Sequence, residues 1–226
     1  MAVAIVATIG WALAWPAVGG ELRLGGLPGF GGVTLRSMRE GRYRDVIKQQ
    51  YDFSCGSAAL ATLLTYHYGR PSTEEEVFRS MWQKGDQERI SEVGFSLLDM
   101  KAYLASQGLS GDGFRVPLDK LAAAGIPAIT LINTGGYEHF VVIKGITESE
   151  VLIGDPALGA RALSRADFEA IWQGILFVLR SEGEVGRDNF NQTDAWQLQA
   201  PSRPDAVRHR QGLASFTRNL PQIGEF

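Results

Sequence analysis

Residues 56–68 (GSAALATLLTYHY) put Ala58, Ala59, Leu60, Ala61, Leu63 and Leu64 on nearly every side of one helix. A helix that is apolar all round has no face to offer water, so the rest of the fold must enclose it. Gly69 ends it and Pro71 follows, as helix stops commonly do. Other helices are expected around it. Thr73 and Glu76 form a capping-box pattern that opens a helix to about Met81. Ser96 to Gln107 reads as an amphipathic helix closed by Gly108, and Leu118 to Ala124 as a short one closed by Gly125. Lys84 to Glu92 is polar and reads as loop.

From residue 128 the period changes. Ala128–Ile132, His139–Ile146, Val151–Ile153 and Ile175–Leu179 are short, β-branched or apolar runs between turn residues, and they read as strands. Ser164 caps one more helix that ends near Trp172, with Asp167 in its first turn. Helices followed by an antiparallel meander with one inserted helix is an α+β pattern. Upstream, Glu21–Gly32 is glycine-rich loop, and Val33–Leu35 and Tyr43–Ile47 read as strands. The expected organisation is an address segment over 1–20, a glycine-rich extension over 21–46, the main folded domain over 47–180 and a polar tail over 181–226. The last is expected to be a tail or a wrapping arm outside the core, with one short helix near Asp205–Arg218.

Composition narrows the function. The 226 residues carry 22 basic and 25 acidic side chains, a net charge of -3, which argues against a nucleic-acid partner. One cysteine excludes an intrachain disulfide framework and any multi-cysteine zinc site. Neither a metal nor an organic cofactor is expected, and the length leaves no room for an ATP-binding domain.

Met1 to Gly20 hold no charged side chain. The apolar run is a little short of the about 20 residues a spanning helix needs. It reads as a secretory signal peptide, with cleavage after Ala14 or Gly19, and so predicts export to the periplasm. The alternative is an uncleaved anchor that associates residues 1–18 with the membrane. An oxidising compartment demands a reason for a lone thiol.

Cys55 supplies one. It opens the buried helix, where orphan N–H groups and the positive dipole end favour a thiolate. Such a nucleophile needs a base, and the chain has three histidines. His67 lies twelve residues along the same helix, about 18 Å away at ~1.5 Å per residue, too far to reach the sulfur. His209 falls in the weakly patterned tail. His139 remains, at the head of a strand. Asp155, sixteen residues on, returns on the next strand and is placed to orient the imidazole. Gln49 or its neighbour Gln50 offers an amide that converges with the Cys55 N–H on a developing oxyanion.

These segments resemble a known family. Gln49-Gln50-Tyr51-Asp52-Phe53-Ser54-Cys55-Gly56 is similar to the cysteine motif of the C39 peptidases, the double-glycine group. Glu138-His139-Phe140-Val141-Val142 and Gly154-Asp155-Pro156-Ala157 resemble their histidine and aspartate motifs. The resemblance implies a papain-like fold, with Cys55 as nucleophile, His139 as base, Asp155 as its orienter and Gln49, at the family's spacing, as oxyanion donor. It implies a polypeptide substrate, here an exported protein, cut after Gly-Gly or within a leader or amyloid. Well-known members are fused to a transporter, whereas this chain resembles stand-alone exported ones. Gly19-Gly20, Gly25-Gly26 and Gly31-Gly32 invite the further expectation of self-cleavage. The rival reading is a non-cleaving, papain-like peptide-binding or chaperone module of a secretion system. A third keeps the triad but passes the acyl group to an amine.

Overall fold

The computed structural model describes residues 38–197. The readings made on residues 1–37, on the helix near Asp205–Arg218 and on His209 lie outside that range. Helix α1 (Met38–Arg42) leads into α2 (Cys55–His67), the segment predicted to be enclosed. Leu60, Leu63 and Leu64 of α2 lie in a core with Val77 of α3 (Glu74–Lys84) and Met100 and Leu104 of α5 (Leu97–Ser106). Both flanking helices are closed at their starts by reciprocal capping boxes, Thr73 with Glu76 and Ser96 with Asp99.

The second layer is an antiparallel sheet, six-stranded among the described residues. Its strands are β1 (Gly111–Phe114), β2 (Ala128–Thr134), β3 (Tyr137–Ile146), β4 (Glu150–Asp155), β5 (Gly159–Ser164) and β6 (Trp172–Leu179). Their order across the sheet is β1-β6-β2-β3-β4-β5. Alternate residues of β3 feed two cores, as strand geometry requires. Phe140 and Val142 face the α2 core; Val141 and Ile143 face a second one with Leu118 and Leu121 of α6 (Leu118–Ala124) and Phe168 of α7 (Arg165–Ile171). The sheet is therefore covered on both faces, and α2 is enclosed between it and α3 and α5.

Several local expectations give way to tertiary context. Tyr43–Ile47 is not a strand. It is an irregular link held by side-chain partners: Ile47 N donates to Thr62 Oγ1 at 2.9 Å, and Asp45 pairs with the buried Lys144. Lys84–Glu92 is not all loop. Asp86 accepts from Arg89 N and opens α4 (Gln87–Val93), with only Ile90 buried, so its apolar signal is a single residue. β1, with the sequence GDGF, has poor strand propensity. It forms by pairing with β6, and the missing Cβ at Gly111 leaves room for Leu104 Cδ1 and Phe177 Cζ, which would stand 2.6 Å and 2.8 Å from one. β5 was not foreseen either. β6 does not continue the meander beside β5 but crosses back to lie between β1 and β2.

The described part of the tail is a wrapping arm, but one that adds to the core where the arm was expected to stay outside it. Residues 183–197 fold onto the domain as α8 (Gly183–Asp188) and α9 (Thr193–Gln197), with Phe190 and Ala195 buried. Two of their asparagines tie the segment to the domain. Asn191 accepts from Ile146 N at 2.8 Å and donates to Ile146 O at 3.1 Å, and Asn189 donates to His67 O at 3.1 Å.

Candidate active site

Cys55 is the first residue of α2 and is buried. Ser54, at the capping position, does not cap. Its hydroxyl turns back into the preceding loop, donating to Tyr51 O at 2.9 Å and accepting from Tyr51 N at 3.1 Å. The amides of the first helical turn thus carry no side-chain cap. Packing beside the sulfur is close at Gly56, where a Cβ would stand 2.9 Å from Met100 Cε and 3.1 Å from Phe95 Cβ.

His139 and Asp155 sit on neighbouring strands. Val142 pairs with Gly154, so continuing the register by one residue puts Asp155 opposite Val141 and diagonal to His139. His139 Nε2 lies 2.8 Å from Asp155 Oδ1, with both side chains buried. Nδ1 of the same ring is buried and has no hydrogen-bond partner in the protein. Burial opposes the charged ring, but the Asp155 hydrogen bond and then the neighbouring Cys55 outweigh it, and the His139 pKa is raised to about 9.

Asp155 is held from several sides. Oδ1 also accepts from the backbone N of Ala157 (2.9 Å) and Leu158 (3.2 Å), and Oδ2 accepts from Arg161 Nη2 at 3.0 Å. Burial pushes its pKa up, but His139, the Ala157 amide and the Arg161 cation together hold it below the usual carboxylate value. Arg161 was not foreseen in the sequence. It sits on β5, a strand the sequence reading lacked, where it pairs with Ile153 two residues before Asp155.

Gln49 is half-buried in the cysteine loop. Its backbone N donates to Pro156 O at 3.1 Å, which ties this loop to the turn after Asp155. Its side-chain amide donates to Tyr51 O at 3.0 Å and to Asp52 O at 3.4 Å, while Oε1 is buried without a partner. Gln50 is exposed and meets Glu74 through its backbone N. His67 stands at the far end of α2 and donates from Nδ1 to Asn189 O at 2.9 Å, a structural role.

Beside the sulfur lies a cleft of about 870 Å³ whose wall includes Phe53, Val93, Leu98, Leu131, Tyr137 and Phe140. Val93 and Leu98 are largely exposed, so the cleft is apolar and open at its rim.

A cysteine at a buried helix start and an imidazole–carboxylate pair on the adjoining sheet form the arrangement of a papain-like cysteine peptidase. Residues 44–184 match the Peptidase C39 family, and the chain belongs to that family. It is 42% identical over 174 residues to the probable functional amyloid protease FapD of Pseudomonas fluorescens, covering 76% of each chain. To the protein of that name from Pseudomonas aeruginosa it is 42% identical over 184 residues, covering 80% of this chain and 81% of the other. Among solved structures, a double glycine motif protease from an AMS/PCAT transporter in complex with the leader peptide is 28% identical. Its TM-score is 0.50, over 59% of this chain and 89% of that one. The peptidase domain of Streptococcus ComA, a bi-functional ABC transporter, shares the fold at 20% identity, with a TM-score of 0.51 over 60% of this chain and 96% of that one.

Proposed function

We propose that this cysteine peptidase cuts an exported polypeptide by acyl-enzyme chemistry, with Cys55 as nucleophile, His139 as base and then acid, and Asp155 as the orienter of His139. The observation that carries the reading is the buried His139–Asp155 pair at 2.8 Å, which leaves Nδ1 without a protein partner on the ring that Cys55 influences. With the proton held on His139, whose pKa is raised to about 9, the Cys55 sulfur attacks the scissile carbonyl carbon. The new oxyanion takes hydrogen bonds from the Cys55 N–H and from Gln49, whose 3.4 Å contact to Asp52 O is the weaker of its two and the one to yield. His139 then protonates the leaving amine as the C–N bond breaks, and a thioester remains. Water, deprotonated by His139, attacks the thioester and releases a carboxylate and the thiol.

The names of the relatives favour a functional amyloid protein as the substrate. The uncharged apolar run of residues 1–20 supports action in the periplasm. Retention of cysteine, histidine and aspartate favours this reading over a non-cleaving binding module. Cleavage of a recombinant functional amyloid protein, followed by mass spectrometry, tests it. Cys55→Ala should abolish cleavage with unchanged circular dichroism, and turnover equal to wild type would refute the assignment. A product heavier than hydrolysis allows would point to an amine acceptor.

A further inference from the structure

The turn between β2 and β3 is built from Gly135 (φ 65°) and Gly136 (φ 90°), both in the left-handed region that favours glycine. Asn133 Oδ1 pins it by accepting from Gly136 N at 2.9 Å. This turn delivers Tyr137 to the first position of β3, two residues before His139 and so on the same side of the strand. The two rings stack, with centroids 6.1 Å apart and planes at 29°. The Tyr137 hydroxyl reaches across to the cysteine loop and donates to Asp52 O at 2.7 Å, a contact between residues 85 apart in sequence. Tyr137, Asp52 and Cys55 line one cleft. Burial first, and then Cys55 and Asp52, push the Tyr137 pKa up, so the phenol stays protonated and remains a donor at neutral pH.

Tyr137 is half exposed, so the bridge forms part of the wall of the cleft that Cys55 also lines. A substrate residue whose carbonyl lies at Cys55 has its α-carbon within two bonds of the attack point, so its side chain meets either the bridge or the open part of the cleft. We propose that the Tyr137–Asp52 bridge sets the enzyme's specificity by limiting the bulk that can stand beside Cys55 at the scissile bond. The inference rests on Cys55 as nucleophile, and it deepens that reading by naming a residue that selects substrate without taking part in the chemistry. Asp52 O is also the weaker acceptor for Gln49, so the phenol competes for the carbonyl that Gln49 must leave.

The single cysteine of the chain gives a probe that needs no natural substrate. Iodoacetamide and iodoacetanilide carry the same electrophile at different bulk, and each forms one S–C bond as iodide leaves. Their second-order rates on the full chain are read by the mass gain at Cys55. In wild type the smaller reagent should be favoured. In Tyr137→Ala the ratio of the two rates should fall about tenfold, the scale on which a pocket distinguishes small differences in bulk. Tyr137→Phe keeps the ring and loses the bridge, and its ratio should lie between the other two. A purely structural role would slow or speed both reagents together, so ratios within about twofold of wild type in both variants would overturn the inference. Cleavage of a peptide library separates it from the parent reading. Broader side-chain acceptance at the cut bond in Tyr137→Ala supports it, an unchanged profile overturns it alone, and cleavage that persists in Cys55→Ala overturns both.

Discussion

His67 should make the folded protein sensitive to acid in a calculable way. Its ring is buried at the end of α2, donates from Nδ1 to Asn189 O, and has no partner at Nε2. Burial lowers its pKa first and the Lys144 ammonium next. The Asn189 carbonyl and Asp45 oppose them without prevailing, and the value falls from 6.5 to about 4. The folded ring is therefore neutral where the unfolded one takes up a proton. The stability this provides is intact above pH 6.5 and is lost as pH falls toward 4. Linkage between the two pKa values gives a loss of about 3 kcal/mol between pH 7 and pH 4. His67→Asn keeps an amide donor where Nδ1 was and cannot titrate. Urea unfolding of both proteins at half-unit pH steps removes the contribution of the carboxylates, which the two share. The wild-type curve should fall about 3 kcal/mol further than the variant's. Parallel curves would show that His67 is not held neutral by the fold. Loosening of residues 183–197 should accompany the loss, visible as faster amide exchange at Asn189 and Asn191.

Two further outcomes concern the catalytic pair. Because the His139 pKa is raised to about 9, its imidazolium stabilises the fold fully below pH 6.5, and that contribution is lost as pH rises through 9. The protonated ring must also give a proton to the leaving amine, so kcat/KM should fall on the alkaline side with an apparent pKa near 9, and a limb near 6.5 would contradict the Asp155 support. Arg161→Leu removes a charge-assisted bond to Asp155 and should cost about 2 kcal/mol in urea unfolding at pH 7. With that cation gone, the His139 pKa measured by NMR should rise further, and a fall would mean that Arg161 does not act through Asp155.

What could be read in the chain depended on how local each signal is. The buried helix, the Thr73–Glu76 capping box and the strands at 128–132 and 139–146 carry their periodicity within one segment, and the structure places elements there. The approach of His139 to Asp155 was legible because a strand, a tight turn and a returning strand fix diagonal neighbours. β1 was not legible, since two glycines and an aspartate become a strand only by pairing with β6. The docking of residues 183–197 was hidden for the opposite reason. Asn189 and Asn191 look like surface residues, and their bonds to His67 and Ile146 span 122 and 45 residues. Arg161 and Tyr137 likewise act on groups that no nearby pattern announces. The orientation of Gln49, turned into the carbonyls of its own loop, depends on a turn whose shape the sequence does not encode locally.

β6 is the last strand in the chain order of the described residues, yet it lies inside the sheet, between β1 and β2. During synthesis, β1 has no neighbour to receive its hydrogen bonds until residues 172–179 have emerged. The nucleophile, made more than a hundred residues earlier, waits beneath an unfinished frame. A sheet ordered in this way is completed only after β6, more than a hundred residues behind the cysteine it supports.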